Sequence, residues 1–432
     1  MAFRLSPFAF RLSAKLASPS WFRWINWDPD RLRRFREARL RDVLRFAYRG
    51  IPAYRDLFDG AGVDVGVIRS FDDLERVPVI DRSFFRSRPL EDFYCRRGFG
   101  KLAARRTSGS TGVSLLFVHS RRNRWKRIMV DLRANLRLGL RPRDVHLVVA
   151  SPEAMKRGRN ALQRLGFFRR EYVSADMEAK AIARRLEEVN PHLLQCYPSH
   201  LLLVAELADK RRLTNLTRII SAGEVLTDDA RSRIQAAFGA TVTDYYGLKE
   251  LGMVAWECLE HNGMHINWDL YHVEQLPDTQ ELVVTLLDDD VMPFIRYNTL
   301  DRGRLDFSPC PCGCSFPRII EIEGRSDDCL VTADGSRIPP LRVNFVDFTG
   351  HTQADAYQIQ QERPGHIEIL LVPTRSFEME SCRERIRRDI DEFISPKLTF
   401  DIKLVEAIPR DPSGKLRSVI SSVSTSAHNH LN

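Results

Sequence analysis

Between residues 142 and 225 short apolar runs alternate with helical patterns, and this alternation limits the fold more than any other feature of the chain. Residues 146–150 form a short apolar strand. Residues 177–189 follow as a helix, with Ala179, Ile182, Ala183, Leu186 and Val189 on one face. Asn190-Pro191 stops it. Ser199 is expected to cap the next helix, which runs through Leu207. Residues 218–221 and 241–244 read as two further strands. Strand, helix, strand in succession implies a largely parallel sheet covered by helices.

The flanks are patterned differently. Residues 31–54 read as helix, ending at Ile51-Pro52. After Gly263 strands dominate: residues 281–287 are strand-like, and Asp288-Asp289-Asp290 reads as a turn. A smaller β-rich subdomain is expected there. Beyond Arg325 a compact α+β unit begins. Ile367, Ile369 and Leu371 alternate along a strand, and Cys382, Ile386, Ile390, Phe393 and Ile394 form the apolar face of a helix. With 432 residues the chain exceeds one typical core. The expected organisation is a large α/β domain over 1–325, with mixed, mostly parallel sheets, and a small mobile α+β domain over 326–417. Residues 418–432, rich in Ser and polar residues, are expected to be disordered.

Charged residues make up 28% of the chain and the net charge is +9. That balance suits anionic substrates. The basic residues are scattered, so no nucleic-acid partner is expected. No apolar run reaches membrane-spanning length. Residues 1–27 lack acidic side chains and mix Arg and Lys with Phe, Leu and Trp. They read as a helix packed on the main domain, with a transit peptide or interfacial helix as the alternative. There is no signal-peptide core ending in a small-residue cleavage site. Cys310, Cys312 and Cys314 are too closely spaced for a secreted disulfide framework, which points to a reduced, cytoplasmic protein. Cys258-x-x-His261 and Cys310-x-Cys312 offer four ligands for a closed structural Zn²⁺ site, with His265 and Cys314 as alternates.

Six motifs follow one another in order. The first is Thr107-Ser108-Gly109-Ser110-Thr111-Gly112, preceded by Arg105 and Arg106. Its glycines allow close backbone approach, and its hydroxyls and N–H groups can surround phosphate oxygens. It lacks the Gly-Lys-Ser/Thr ending of a Walker A loop. Next come Ala222-Gly223-Glu224 and Asp244-Tyr245-Tyr246-Gly247-Leu248-Lys249-Glu250. The last three are Arg296 to Asp301, Gly324-Arg325-Ser326-Asp327-Asp328, and residues 409–417 around Gly414-Lys415. The ordered set resembles the adenylate-forming superfamily of acyl-CoA synthetases, and within it the phenylacetate–coenzyme A ligase branch, which includes proteins associated with capsular-polysaccharide clusters.

That resemblance implies ATP-dependent activation of a carboxylic acid, aryl by default, to an acyl-adenylate, then acyl transfer to coenzyme A. It also implies specific roles. Thr107 to Gly112 hold the phosphates, through Ser108, Ser110 and Thr111. Glu250 is associated with Mg²⁺. Tyr246 stacks on adenine, beside Tyr245 and Gly247, and Asp244 lies at the adenine edge. Ala222, Gly223 and Glu224 line the nucleotide cleft. Asp301 binds the ribose, Arg325 helps hold the nucleotide, and Asp327 is the hinge. Lys415 is the catalytic cation, brought in and withdrawn by rotation of the small domain. Residues 196–199, with residues near Ser221 and Tyr246, are implied in the acid pocket. Some members of the branch carry a metal. One departure stands out: the usual Lys-Pro after the second glycine is Val113-Ser114 here, which removes a positive charge, and Arg105 or Arg106 could compensate. Alternatives remain open. The acyl group could pass to a phosphopantetheinyl carrier protein or an amine. The chain could be a binding protein on a decayed ligase fold, or a zinc-containing nucleic-acid binder, recognisable by steep salt dependence. A homodimer is also allowed for.

Overall fold

The computed structural model describes residues 27–95, 102–106, 115–151, 161–325, 329–338, 354–374, 377–409 and 416–423. Helix α1 (Pro29–Gly50) starts at Asp28, whose carboxylate accepts from the N–H groups of Asp30 and Arg31. Ile51 is held extended before Pro52, so the chain breaks there and restarts as α2 (Pro52–Gly60). A hairpin of β1 (Ala103–Arg106) and β2 (Leu116–His119) precedes α3 (Arg121–Arg137), whose N-terminus is capped by Ser120.

The expected alternation follows, with four further elements that the sequence did not single out, at 161–164, 169–174, 193–196 and 228–238. It comprises β3 (Val145–Ala150), α4 (Ala161–Arg164), β4 (Arg169–Ser174), α5 (Ala179–Val189), β5 (Leu193–Cys196), α6 (Pro198–Leu207), β6 (Arg218–Ala222), α7 (Asp228–Phe238) and β7 (Thr241–Leu248). Strands β4, β3, β5, β6 and β7 are neighbours and parallel. Asn190 ends α5 in the left-handed region at φ 43°. Ile182, Leu186 and Leu201 from the helices pack against Leu147, Leu194 and Ile219 from the strands. Each such burial contributes about 1.5–3 kcal/mol. Ser199 does not cap α6: Tyr197 holds the N-cap position and Pro198 the first helical one, because Pro fits where no N–H is needed.

From β7 the chain turns back. Strands β8 (Gly252–Glu257), β9 (Met264–Ile266), β10 (Tyr271–Gln275), β11 (Glu281–Leu286), β12 (Tyr297–Asp306) and β13 (Arg318–Arg325) extend the same sheet in antiparallel fashion. Among the described residues the result is one mixed sheet in the order β10-β11-β12-β13-β9-β8-β7-β6-β5-β3-β4. The β-rich part is therefore continuous with the parallel half, because β8 pairs directly with β7 through a tight turn.

A small pair, β14 (Leu330–Val331) and β15 (Arg337–Ile338), leads to a second sheet. It contains β16 (Ala354–Arg363), β17 (His366–Pro373), β18 (Thr399–Leu404) and β19 (Val419–Ser421), in the order β18-β17-β16-β19. Helix α8 (Met379–Asp389) covers it and continues as one wide turn to Ile394. Ile367, Ile369 and Leu371 alternate inward, and Ile386 and Ile390 meet them in a core distinct from that of the large sheet. Strand β19 corrects the expectation of a disordered tail from residue 418. Val419 is buried and pairs in parallel with β16, a short apolar contact hidden in a Ser-rich run. No described helix is long and apolar enough to cross a membrane.

Candidate active site

Ligands of open α/β sheets bind beyond the carboxyl ends of the parallel strands. Here those ends bring Cys196, Ala222 and Tyr245 side by side, since Ser221 pairs with Cys196 and Ala222 with Tyr245. Gly223 then leaves β6 at φ 85°, a left-handed turn that suits glycine, and presents Glu224. At the end of β7 Gly247 has no room for a side chain: a Cβ there would lie 2.4 Å from the carbonyl oxygen of Gly252. The turn after it carries Glu250. Arg127 of α3 fixes this turn by donating to the carbonyl of Lys249 at 3.0 Å and also to that of Glu250.

Two carboxylates far apart in sequence converge on this cleft. Tyr246 donates its hydroxyl to Asp301 at 2.8 Å. Glu250 is 1% exposed and accepts from the Tyr297 hydroxyl at 2.9 Å. Arg82 lies between them, 3.9 Å from Glu250 and 3.4 Å from the Tyr297 hydroxyl. Burial opposes its charge, but Tyr297, Glu250 and Asp301 more than offset this and hold the guanidinium above its ordinary range. Among the described residues its Nη1 has no hydrogen-bond partner. Burial, then Asp301, raises Tyr246 well above the usual phenol value, and burial, then Glu250, does the same for Tyr297, so both remain hydroxyl donors. The β12 backbone on either side is unusual: Arg296 and Leu300 both have positive φ, 46° and 62°.

Arg82 and Arg127 were not singled out by the sequence. Arg82 follows the apolar run Val77-Pro78-Val79-Ile80, and only the bridge between Ile80 and Tyr297 brings it to the cleft. That run was the available signal, and nothing in it specifies a cation. Of the expected nucleotide residues, Asp301 pairs across the β12–β13 ladder with Arg325, whose side chain lies outside the described ones. The loop Thr107 to Gly112, Asp327 and Lys415 also lie outside the described residues. The hairpin strands that flank the loop, β1 and β2, are in register, with Arg106 opposite Leu116.

Asp244 is half-buried on the same strand face as Tyr246. Its carboxyl is pushed up to about 7 by burial first and by Glu257 second. The folded state thus keeps a proton that the unfolded chain releases. The stabilising difference is complete below the ordinary value of 3.8 and is lost as pH rises through about 7. Asp244→Asn is expected to gain stability over the parent at pH 8 relative to pH 5, by on the order of 2 kcal/mol. Urea titrations at the two pH values measure this, and an equal gap at both would refute a protonated Asp244.

A second constellation sits beyond the far end of β8. Cys258, His265, Cys310 and Cys312 place one donor atom each within 4.8 Å of one another. The Cys258 and Cys310 sulfurs are 3.8 Å apart, across 52 positions of sequence. His265 Nε2 is 3.2 Å from the Cys312 sulfur, and its Nδ1 is fixed by the carbonyl of Phe316 at 2.9 Å. The backbone N–H of Cys314 points at the Cys312 sulfur, and Gly313 makes the turn at φ 76°. His261 is not in this group, contrary to the Cys-x-x-His reading. It sits in a left-handed turn at φ 50°, with its Nδ1 toward Glu257 and Arg231. His265 takes its place because β9 aims it back at the loop between β12 and β13. Cys314 is buried instead with Leu32 and Phe316.

A large mixed sheet joined to a small α+β sheet is the fold of the adenylate-forming ligases. Residues 330–422 match the family model of the CapK C-terminal domain. The chain is 28% identical over 442 residues to a phenylacetate–coenzyme A ligase of Thermus thermophilus, covering 90% of this chain and 96% of that one. A 2-hydroxyisobutyryl-CoA ligase solved in the postadenylation state with its acyl-AMP matches with a TM-score of 0.77 at 20% identity, over 95% of this chain and 94% of that one. The same ligase with acyl-AMP and CoA in the thioesterification state matches with a TM-score of 0.63 at 20% identity, over the same shares. The chain is thus similar over 90% of its length to a phenylacetate–coenzyme A ligase, and it shares the fold of solved acyl-CoA ligases.

Proposed function

We propose that the protein activates a small carboxylic acid with ATP and transfers the acyl group to the thiol of coenzyme A. A carboxylate oxygen of the acid attacks the α-phosphorus, and the bond to pyrophosphate breaks. The thiol sulfur then attacks the acyl carbon, losing its proton as AMP departs. The observation that carries this reading is the convergence of Glu250 and Asp301 on one cleft through Tyr246, Tyr297 and Arg82. Asp301, oriented by Tyr246, is suited to accept from ribose hydroxyls. Arg82 is a half-buried cation beside Glu250 and within the electrostatic reach of Asp301, and offers charge that Val113-Ser114 does not. Lys415 supplies the cation for the reacting oxygens in the first step, carried by the C-terminal unit over 326–417 about a hinge at Asp327. An aryl acid is the default, by kinship with the phenylacetate ligases.

The donor chemistry around Glu250 fits Mg²⁺, which is held by one or two carboxylates together with substrate phosphates. When bound there, Mg²⁺ neutralises charge on those phosphates. ATP–pyrophosphate exchange across aryl, aliphatic and amino acids tests the first step. A product assay offering coenzyme A and a phosphopantetheinyl carrier in competition tests the second. Absence of exchange with every acid would remove the proposal.

The three thiols and His265 fit a closed tetrahedral Zn²⁺ site, with the imidazole tautomer set by the Phe316 carbonyl. Without a cation, burial pushes the Cys258 thiol up to about 12. The role is structural, since the group lies away from the nucleotide cleft. Freshly reduced protein is expected to carry one zinc per chain by elemental analysis. Cys310→Ser combined with Cys312→Ser is expected to lower the melting temperature by on the order of 10 °C, with little change in the chemical step of molecules that remain folded. Metal-free parent protein of equal stability would contradict this.

A further inference from the structure

Glu224 was expected only to line a nucleotide cleft, yet its carboxylate gathers three donors from two different parts of the molecule. Ser199 donates its backbone N–H at 3.0 Å and its hydroxyl at 3.1 Å. Leu416, far along the chain, donates its backbone N–H at 3.0 Å. Ser199 lies in the first turn of α6, where a carboxylate is stabilised by the unpaired N–H groups and the helix dipole. Glu224 itself is fixed by the turn at Gly223. The large-sheet side of the contact is therefore rigid.

The other side is rigid with the small sheet. The carbonyl of Arg417 accepts from the Gln358 side chain at 2.9 Å, and the carbonyl of Ser418 accepts from Ile359 at 2.8 Å. Both acceptors lead directly into β19, which pairs with β16. Leu416 therefore moves with the C-terminal sheet, and it immediately follows Lys415. A rotation of that sheet relative to the large one cannot preserve a 3.0 Å bond to Glu224.

We propose that Glu224 is a positioning residue that latches the segment after Lys415 to the large sheet for adenylation, and that breaking the Glu224–Leu416 bond is required before thioester formation. The proposal rests on the two-step ligase reading above. It makes Glu224 act on the first step through Leu416, without contact with the reacting atoms. A charge-assisted hydrogen bond to a carboxylate is strong enough that its loss changes an equilibrium roughly tenfold. Latched and released arrangements then exchange on the timescale of ordinary domain closure.

The two half-reactions, assayed separately, test this. Glu224→Ala, and Leu416→Pro, which removes the N–H donor and also fixes the local φ, are each expected to slow ATP–pyrophosphate exchange roughly tenfold. Thioester formation from a supplied acyl-adenylate and coenzyme A is expected to be unchanged or faster in both. The double variant is expected to be no worse than the worse single one. Equal loss of both half-reactions in folded Glu224→Ala protein, or additive losses in the double variant, would overturn the latch. A measurement that needs no substrate separates this from the ligase reading. In the parent, hydrogen exchange of the peptide spanning residues 416–423 should be slow, and in Glu224→Ala it should be faster. Exchange unchanged by the substitution would defeat the latch even in an active enzyme. A parent silent toward every acid would defeat the ligase reading, and a latch visible by hydrogen exchange would then still stand as a contact but not as part of catalysis.

Discussion

Lys415→Ala is expected to lower the rate of acyl-adenylate formation by on the order of a hundredfold to a thousandfold, while a supplied acyl-adenylate is still converted to thioester at close to the parent rate. The first step brings an anionic carboxylate to an anionic phosphate, so a cation on the bridging oxygens acts mainly in its transition state. The second step expels AMP from a mixed anhydride as the thiol attacks the acyl carbon rather than the phosphorus, and has less need of it. Leu416, the next residue, is docked on Glu224 at the carboxyl ends of β5 and β6, which places this end of the C-terminal sheet at the cleft. Pyrophosphate exchange and single-turnover thioester assays separate the two steps. Equal loss in both, in a variant with the parent's melting temperature, would assign Lys415 to structure.

Glu250→Gln is expected to reduce Mg²⁺-dependent turnover by on the order of a hundredfold and to raise the Mg²⁺ concentration needed for half-maximal rate. The substitution keeps the size of the side chain and leaves an oxygen for the Tyr297 hydroxyl, but removes the charge that faces Arg82. Asp301→Ala is the contrasting case. It removes the partner of Tyr246 at the expected ribose site, so it should chiefly raise the KM for ATP, roughly tenfold to hundredfold for a lost bond of about 1.5–3 kcal/mol. Metal titrations at saturating ATP distinguish the two. If Glu250→Gln altered only the KM for ATP and left the metal dependence untouched, its assigned role would fall.

The parallel half of the fold was legible where an element carries its own punctuation, as where Asn190 and Pro191 stop α5. Strands β4 and β5 and helix α7 were not read, and the Pro198 that starts α6 was passed over for Ser199. Glu250 and Asp301 were legible through motif order, although nothing local shows that Tyr246 joins them. Arg82 was illegible for a physical reason: a single cation in a polar stretch becomes special only when a distant bridge, Ile80 to Tyr297, delivers it to two carboxylates. The choice of His261 over His265 failed on backbone conformation. Ligand spacing counts residues, and His261 meets the count, but a left-handed turn directs its ring to Glu257 while β9 directs His265 to the thiols. Ser199 has the residue type of a helix cap, yet with Pro198 as first helical residue the cap falls two positions earlier, at Tyr197, and the Ser199 hydroxyl is left for Glu224.

The left-handed residues Arg296 and Leu300 bracket Tyr297 and the turn into Asp301. Neither is glycine, so each conformation costs roughly 1–3 kcal/mol. The surroundings enforce both. Arg296 is clamped by the carbonyls of Glu75 and Val77 and by Glu274, and the Leu300 N–H is held by the Asn298 side chain at 2.9 Å. Thermal robustness and placement of the Asp301 carboxylate are therefore opposed within this short stretch. Selection for heat resistance alone would favour glycine at Leu300, where relaxed backbone would let that carboxylate drift. A lineage that must keep turnover would instead retain the contorted residues and find its extra stability elsewhere in the molecule.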